Sequence, residues 1–237
     1  MKKEIPNILT LLNLFSGCIA ITMAFRGDFT AVVIWVAVAA LFDFFDGLAA
    51  RSLGVASKMG VELDSLADLV SFGLAPATAV FKLLQDHTLL PDLLSRFEPV
   101  IPYLAFLIPL FSAYRLAKFN IDDRQTTSFL GLPTPANGLF WVSYVCGTCL
   151  AAGTNGFYLY LTAGLILVLS LLMISEIPMF SLKIKSMKIK GNERQLLLIV
   201  IMTGCVVFWG IKGVAWGILS YIVISLFSMR KGENLYK

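Results

Sequence analysis

The chain has 237 residues, of which 58% are hydrophobic and only 14% are charged, and its formal net charge is +4. Soluble domains carry about 25% charged residues, so this composition excludes an ordinary soluble protein and indicates an integral membrane protein. The small positive charge follows from membrane topology, as described below, and gives no reason to expect a nucleic-acid partner.

Apolar runs long enough to cross a bilayer as helices recur along the whole chain. Strand-like alternation is absent, and helical bundles satisfy their backbone hydrogen bonds in lipid. The sequence therefore predicts an all-α, polytopic bundle that forms one membrane domain over residues 1–237. We expect about eight spans, at residues 7–25, 29–50, 60–84, 98–118, 134–152, 157–175, 194–210 and 213–229.

The distribution of positive charge predicts the orientation of these spans. With both termini in the cytoplasm, 15 of the 19 Lys and Arg residues fall on the inner side. The other four, on the outer side, are Arg26, Lys82, Arg96 and Lys212. Cytoplasmic loops of membrane proteins carry an excess of Lys and Arg. This pattern predicts a multi-pass protein of the cytoplasmic (inner) membrane.

The first predicted span contains polar residues that a cleaved signal peptide does not need. Asn7, Thr10 and Asn13 interrupt the apolar run, and no cleavage site of small residues follows it. We therefore expect this span to be retained. Asn7 and Thr10 are candidates for contacts with a bound nucleotide, although Asn7 can equally cap the helix.

Acidic and small residues share one face at the inner end of the second predicted span. Asp43, Asp46, Gly47 and Ala50 are spaced i, i+3, i+4 and i+7, and Arg51 follows directly. Each aspartate at the bilayer centre costs about 2.5 to 3.5 kcal/mol. Such charges in a membrane helix indicate a functional site.

The third predicted span repeats the pattern. Gly60, Asp64 and Asp68 recur every four residues and so share a face, and the short loop 51–59 makes the two helices antiparallel neighbours. The four aspartates can therefore meet. Pooled carboxylates favour hard divalent cations, so we expect one or two Mg²⁺ or Mn²⁺ ions here. Zinc is disfavoured because no His or Cys lies nearby.

The aspartates also suit two roles that need no catalytic metal. The carboxylates can line a path for cations or protons through the membrane, which would make the protein a transporter. They can also pair structurally with Arg51, Lys58 or Arg115. Small residues on the same faces are common in helix packing and do not by themselves indicate a ligand.

The spacing of these residues resembles the defining motif of the CDP-alcohol phosphatidyltransferases. The match is D-x-x-D-G-x-x-A-R from Asp43 to Arg51, then eight residues, then G-x-x-x-D-x-x-x-D from Gly60 to Asp68. The resemblance implies that the four aspartates bind a pair of divalent cations, which hold the diphosphate of a CDP-linked lipid. It further implies that Asp68 takes the proton of the acceptor alcohol. The implied nucleotide-binding residues are Gly47, Ala50, Arg51 and Gly60.

Three further stretches resemble the serine-using branch of that family. They are IPNILTLLNLFSG (residues 5–17), AYRLAKFN (residues 113–120) and FLGLPTPANG (residues 129–138). The resemblance implies transfer of a phosphatidyl group from CDP-diacylglycerol to L-serine, giving phosphatidylserine and CMP. It places the catalytic core in residues 1–138 and leaves residues 139–237 as additional helices. Homodimers are common in the family.

Two residues of the fourth span are candidates for binding the acceptor. Arg115 lies at the inner end of that span, and a guanidinium can bind the serine carboxylate bidentately. Asn120 is a candidate for the ammonium or the hydroxyl. Alternatively, Arg115 only marks a cytoplasmic loop. Acceptors that carry a phosphate, such as glycerol 3-phosphate or inositol phosphate, would be expected to need further basic residues near the site.

Overall fold

The computed structural model describes residues 4–55, 57–87, 98–122, 129–149, 156–179 and 193–229, and these residues are almost entirely helical. The predicted all-α class is confirmed. Two strands of two residues each, β1 (Phe129–Leu130) and β2 (Pro178–Met179), form one antiparallel pair. The helices are α1 (Ile5–Phe25), α2 (Phe29–Leu53), α3 (Lys58–Asp68), α4 (Ala75–His87), α5 (Leu107–Ile121), α6 (Thr134–Thr148), α7 (Gly156–Ile174), α8 (Glu193–Trp209) and α9 (Gly213–Met229).

Each of the eight predicted spans coincides with a helical stretch. Among the described residues, six stretches are long and apolar enough to cross a membrane. The last of them, Gln195–Leu226, contains both α8 and α9. The protein is therefore a multi-pass membrane protein, and the count of eight crossings stays a prediction. The other five stretches are Ile5–Phe25, Phe29–Leu53, Lys58–Asp86, Ile101–Ile121 and Phe157–Ile174.

Short capped turns hold α1, α2 and α3 side by side. Asp28 begins α2, where its carboxylate accepts a hydrogen bond from the Ala31 N–H at 2.9 Å. Gly54 ends α2 with φ 63°, a left-handed conformation that glycine adopts without strain. Ser57 begins α3 by accepting from the Gly60 N–H at 3.0 Å. The acidic faces of α2 and α3 are therefore fixed as neighbours.

The third span is one long helix with a widened turn inside it. A π-helical segment, Leu69–Leu74, joins α3 to α4. Such turns insert an extra residue into the helix and are frequent at functional sites. After this segment, most residues of α4 are buried, and its small residues Ala75, Ala77 and Ala79 are fully covered. The segment thus connects the polar half of the helix to the apolar core.

Two glycines let neighbouring helices approach the π-helical segment closely. A Cβ added at Gly17 of α1 would meet the Ser71 backbone at 2.8 Å. A Cβ at Gly138 of α6 would lie 2.8 Å from the Cα and the carbonyl oxygen of Phe72. Real Cβ atoms do not approach a backbone this closely, so the backbone would have to move. The segment is therefore clamped between α1 and α6.

We expect Gly138→Ala to destabilise the protein by about 1 to 3 kcal/mol, because overpacking forces the backbone to shift. Thermal unfolding in detergent measures this as a lower Tm. Gly164→Ala on α7 is the matched control, since a Cβ there meets nothing within 4 Å. Equal Tm values for the two variants would contradict the clamp.

The last two helices form a hairpin. Cβ atoms placed at Gly213 and Gly217 of α9 would collide with α8, at the Cys205 backbone and the Met202 side chain respectively. Pairs of small residues in a Gly-x-x-x-Gly pattern are common where membrane helices pack closely, within one subunit or between two. In the structure the two glycines pack within the subunit.

Candidate active site

Three neighbouring helices build the site in layers one helical turn apart. Helices α1 and α3 run in the same direction, and α2 is antiparallel to both. Residues three or four positions apart on each helix are therefore about one turn apart, and residues of the three helices lie at matching depths. The layer nearest the start of α1 contains Asn7, Ala50 and Gly60. The middle layer contains Thr10, Asp46 and Asp64, and the deepest contains Asn13, Asp43 and Asp68.

The first layer is an open pocket lined by small residues. A Cβ at Gly60 would lie 3.4 Å from Asn7 Oδ1 and 3.2 Å from Ser57 Oγ, so a side chain there would fill the space. The Asn7 amide also donates to Glu4 Oε2 at 3.1 Å. With solvent-open space included, the pocket measures about 480 Å³. Its walls include five of the six predicted nucleotide-binding residues: Asn7, Thr10, Gly47, Ala50 and Gly60.

The sixth predicted nucleotide-binding residue, Arg51, lies at the rim of this pocket. A Cβ at Gly47 would come within 3.3 Å of Arg51 Nη1, so the exposed guanidinium folds back over the glycine one turn earlier. The absence of a side chain at Gly47 therefore has two consequences. It opens the pocket wall, and it lets the positive charge lie across the pocket mouth, where a phosphate would be attracted.

The middle layer holds Asp46 by a short hydrogen bond. The Thr10 hydroxyl lies 2.6 Å from Asp46 Oδ2 and 3.0 Å from the Pro6 carbonyl oxygen, and its single proton serves one of them at a time. Both residues are buried. Beside them, Asp64 Oδ1 is buried with no hydrogen-bond partner among the described residues. Thr10 therefore connects the polar face of α1 directly to the acidic motif.

Carboxylates of the middle and deepest layers come together at the boundary between the two layers. Asp43, Asp64 and Asp68 each offer an oxygen, and these oxygens lie within 4.8 Å of one another. Asp46 falls outside this group. Asn13 Nδ2 approaches Asp68 Oδ1 at 3.4 Å, and the Ser71 hydroxyl donates to the Asn13 carbonyl oxygen at 3.0 Å. Three of the four predicted metal ligands thus converge.

This group of three aspartates fits a divalent cation. Like charges this close repel one another, and a buried carboxylate oxygen without a partner costs free energy that a cation would recover. The oxygen-only donor set is the one that Mg²⁺ and Mn²⁺ prefer. The described residues place no Lys or Arg in an ion pair with these aspartates. The structural pairing considered from the sequence, with Arg51, Lys58 or Arg115, is therefore not made by direct ion pairs among the described residues.

Arg115 of α5 also lies near Asp68. It is 7% exposed, and its Nη1 donates to Thr134 Oγ1 on α6 at 3.1 Å. Its guanidinium is 5.8 Å from the centre of the Phe119 ring and near enough to Asp68 for the two charges to attract. Its Nε has no hydrogen-bond partner among the described residues. Arg115 is therefore a buried part of the site and does not simply mark a loop.

Asn120, the other predicted acceptor-binding residue, is tied to α3. Its Nδ2 donates to Ser65 Oγ at 2.9 Å, next to Asp64 in the chain. The side chain is partly buried. The structure therefore places Asn120 at the junction of α5 and α3, five residues beyond Arg115 along α5.

Sequence reasoning missed two residues of the site. Asn13 was noted only as a polar residue of a retained span, yet it is fully buried against Asp68. Thr134, which holds Arg115, received no role. For Asn13 a signal was available, because it continues the i, i+3 series of Asn7 and Thr10 along one face of α1.

This chain is similar to known proteins over most of its length. Residues 3–184, about three-quarters of the chain, match the CDP-alcohol phosphatidyltransferase family. A Bacillus subtilis protein named CDP-diacylglycerol–serine O-phosphatidyltransferase is 36% identical over 136 residues, or 57% of this chain and 71% of the relative. A Helicobacter pylori protein of the same name is 32% identical over 204 residues, covering 85% of this chain and 80% of the relative.

An archaeal relative extends the comparison. The archaetidylserine synthase of Methanothermobacter thermautotrophicus is 32% identical over 176 residues, which cover 73% of this chain and 68% of the relative. The family match also covers all three helices of the layered site and continues through α5, α6 and α7. The chain therefore belongs to the CDP-alcohol phosphatidyltransferase family.

Proposed function

We propose that this membrane enzyme transfers a phosphatidyl group from CDP-diacylglycerol to L-serine, giving phosphatidylserine and CMP. The observation that carries the choice of acceptor is the buried Arg115 beside Asp68, with an unpartnered Nε. A buried guanidinium in this position suits an acceptor with a carboxylate. The printed names of the bacterial and archaeal relatives support the same choice.

We assign the divalent cations to the acidic layers. Asp43, Asp64 and Asp68 form the core of the ligand set, and Asp46, held by Thr10, completes it toward the nucleotide pocket. Two ions, Mg²⁺ or Mn²⁺, suit four carboxylates. When bound, they supply positive charge that stabilises the attacked phosphoryl group and the leaving nucleotide.

The pocket of the first layer is assigned to the cytidine end of the donor. Gly47, Ala50 and Gly60 leave room for it, and Asn7 offers hydrogen bonds at its edge. Thr10 contributes at the cytidine end of the donor by fixing the Asp46 carboxylate with its hydrogen bond. Arg51 attracts the diphosphate from the rim. These roles follow from the positions of the residues around one pocket.

The chemical step follows from the position of Asp68. The serine hydroxyl gives its proton to the Asp68 carboxylate, and its oxygen forms a bond to the phosphorus that carries the diacylglycerol. The bond from that phosphorus to the bridging oxygen breaks, and CMP leaves with the electron pair. Among the described residues, the group of potential cation ligands consists of aspartates alone, without Cys or His, which supports direct transfer.

Arg115 and Asn120 are our candidates for the acceptor side of the site. We assign the serine carboxylate to Arg115, which Thr134 orients from α6. Asn120 stays a candidate acceptor contact, positioned by its hydrogen bond to Ser65.

We further propose that the site faces the cytoplasm from the inner membrane. Arg51 and Lys58, at the ends of α2 and α3 beside the nucleotide pocket, lie on the side that carries 15 of the 19 positive residues. The enzyme's partners are then membrane lipids and the two substrates. A homodimer and the division of the chain at residue 138 stay predictions of the family resemblance.

The test is an assay of the purified protein with CDP-diacylglycerol, Mg²⁺ or Mn²⁺ and labelled L-serine. We expect CMP to be released in a one-to-one ratio with labelled lipid. Chelation of the cation should stop the release. Release driven only by glycerol 3-phosphate or inositol phosphate would refute serine as the acceptor. Cation flux into reconstituted vesicles without CMP release would favour the transporter instead.

A further inference from the structure

Two buried polar atoms beside Asp68 have no hydrogen-bond partner among the described residues and lie outside the cation-binding carboxylates. They are Asn13 Oδ1 and Arg115 Nε. Most buried polar groups in proteins are paired, because an unpaired group loses its hydrogen bonds to water and gains nothing in return. Asn13 is 0% exposed and Arg115 is 7% exposed. These two atoms therefore point to a polar ligand.

The orientation of the Asn13 amide follows from its neighbour. The Asp68 carboxylate accepts hydrogen bonds, so the Asn13 group that faces it must be the Nδ2 donor, as the 3.4 Å contact has it. Oδ1 is then left as an acceptor without a donor. The Ser71 hydroxyl holds the Asn13 backbone carbonyl at 3.0 Å, which fixes this part of α1 against the π-helical segment.

The orientation of Arg115 follows in the same way. Its Nη1 donates a hydrogen bond to the Thr134 hydroxyl, and its Nε has no partner among the described residues. The guanidinium edge that carries Nε and Nη2 is therefore the one that can face a ligand. That edge presents two parallel N–H groups and matches the two oxygens of a carboxylate. Asn13 of α1 and Arg115 of α5 thus both lie near Asp68, the first with an unpartnered acceptor and the second with an unpartnered donor.

We infer that Asn13 Oδ1 binds the ammonium group of the acceptor. This inference rests on the proposed function, because it assumes an amino-acid acceptor. In serine the hydroxyl and the ammonium are on neighbouring carbons, so a hydroxyl at Asp68 brings the ammonium next to the Asn13 side chain. The carboxylate then meets Arg115. Contact at three points distinguishes an amino acid from acceptors that carry only a hydroxyl and an acid.

Asn120 is the competing residue for this role. Its side chain is only partly buried, and its Nδ2 donates to Ser65, so it is positioned beside α3 next to Asp64 and makes no contact with Asp68 among the hydrogen bonds of the described residues. Asn13 is fully buried and contacts Asp68 directly. An ammonium ion gains most from an acceptor that water does not reach, because a low local dielectric strengthens the charged hydrogen bond. The contacts therefore favour Asn13.

The experiment compares two acceptors, L-serine and 3-hydroxypropionate, which keeps the hydroxyl and carboxylate but lacks the ammonium. We measure kcat/KM for each by CMP release from the full-length enzyme with CDP-diacylglycerol and Mn²⁺. The preference for serine over 3-hydroxypropionate should fall about 10- to 100-fold in Asn13→Ala, the range for a hydrogen bond to a charged group.

A role of Asn13 only through Asp68 predicts a different result. Both acceptors would then lose rate equally, and the preference for serine would stay as in the wild type, which would overturn the inference. A changed Mn²⁺ requirement together with an unchanged preference for serine would also overturn the inference, because that result would make Asn13 a cation ligand. Where turnover is too slow to measure, calorimetric titration with each acceptor in the presence of CMP and Mn²⁺ gives the same comparison as a ratio of Kd values.

Asn120→Ala is the comparison variant, because Asn120 is the other asparagine considered for the ammonium. If Asn13 binds the ammonium, the preference for serine should fall less in Asn120→Ala than in Asn13→Ala. A loss of preference in Asn120→Ala but not in Asn13→Ala would assign the ammonium to Asn120 and refute the inference. A wild-type enzyme that releases no CMP with serine would instead refute the proposed function itself, so the two failures are distinguishable.

Discussion

Asp64→Asn is expected to reduce CMP release at least about 10³-fold. The substitution keeps the shape of the side chain but removes the charge from the carboxylate whose Oδ1 is buried without a partner. It also removes one of the three aspartates whose oxygens lie within 4.8 Å of one another. A bound cation contributes several kcal/mol to the stabilisation of transition-state charge, and about 4 kcal/mol corresponds to a factor of 10³ in rate.

Two measurements separate the loss of a cation ligand from simple misfolding. Titration with Mn²⁺, followed by calorimetry, should show weakened binding in Asp64→Asn at an unchanged Tm. Asp86→Asn is the control, since Asp86 pairs with Lys82 at 2.7 Å on α4, well beyond the acidic layers. It should stay within about twofold of the wild type. Full activity of Asp64→Asn, or Mn²⁺ binding equal to that of the wild type, would contradict the cation site.

The second large effect is expected at Arg115. Arg115→Lys keeps a positive charge beside Asp68 but loses the paired N–H groups, so kcat/KM for serine should fall roughly 10²-fold. The KM for CDP-diacylglycerol should change little, because the nucleotide pocket is built from α1, α2 and α3. Initial rates measured with each substrate varied in turn give both values.

Lys118→Ala provides the comparison for Arg115→Lys. Lys118 lies less than one turn further along α5 and approaches Glu176 at 3.5 Å, away from the aspartates. Its removal should alter neither KM by more than about twofold, as for most partly exposed ion pairs. If Arg115→Lys raised the KM values of serine and of CDP-diacylglycerol equally, the acceptor would have to bind elsewhere.

Much of the acidic site could be predicted because its residues follow helical periodicity. Asp43 and Asp46 on one helix and Asp64 and Asp68 on the next share faces, and a short loop makes the two helices neighbours. Three of the four carboxylates meet as this pattern indicates. The pocket beside the aspartates could be predicted for the same reason, because small residues at helical spacing, here Gly47, Ala50 and Gly60, leave space on the shared faces of the helices. Its role in nucleotide binding stays a prediction.

The contribution of α1 and α6 could not be predicted in the same way. Asn13 and Thr134 act through contacts with residues 55 and 19 positions away, and no local spacing encodes such pairs. The π-helical segment was also missed. A continuous apolar span does not reveal an extra residue in one turn, because hydrophobicity is equally high on both sides of it. The close approach of Gly138 to Phe72 likewise depends on tertiary packing.

The order of the three layers along α1 has a consequence for how an amphiphile lies in the enzyme. Asn7, Thr10 and Asn13 are spaced about 4.5 Å apart along the helix axis, and they pass from the pocket to Asp46 and then to Asp68. A nucleotide-activated lipid has the same sequence of parts from its water-soluble head to its tails. The proposed lipid donor can therefore react while its tails stay in the membrane leaflet. The small polar acceptor then has to enter the site from the aqueous side and reach the depth of Asp68.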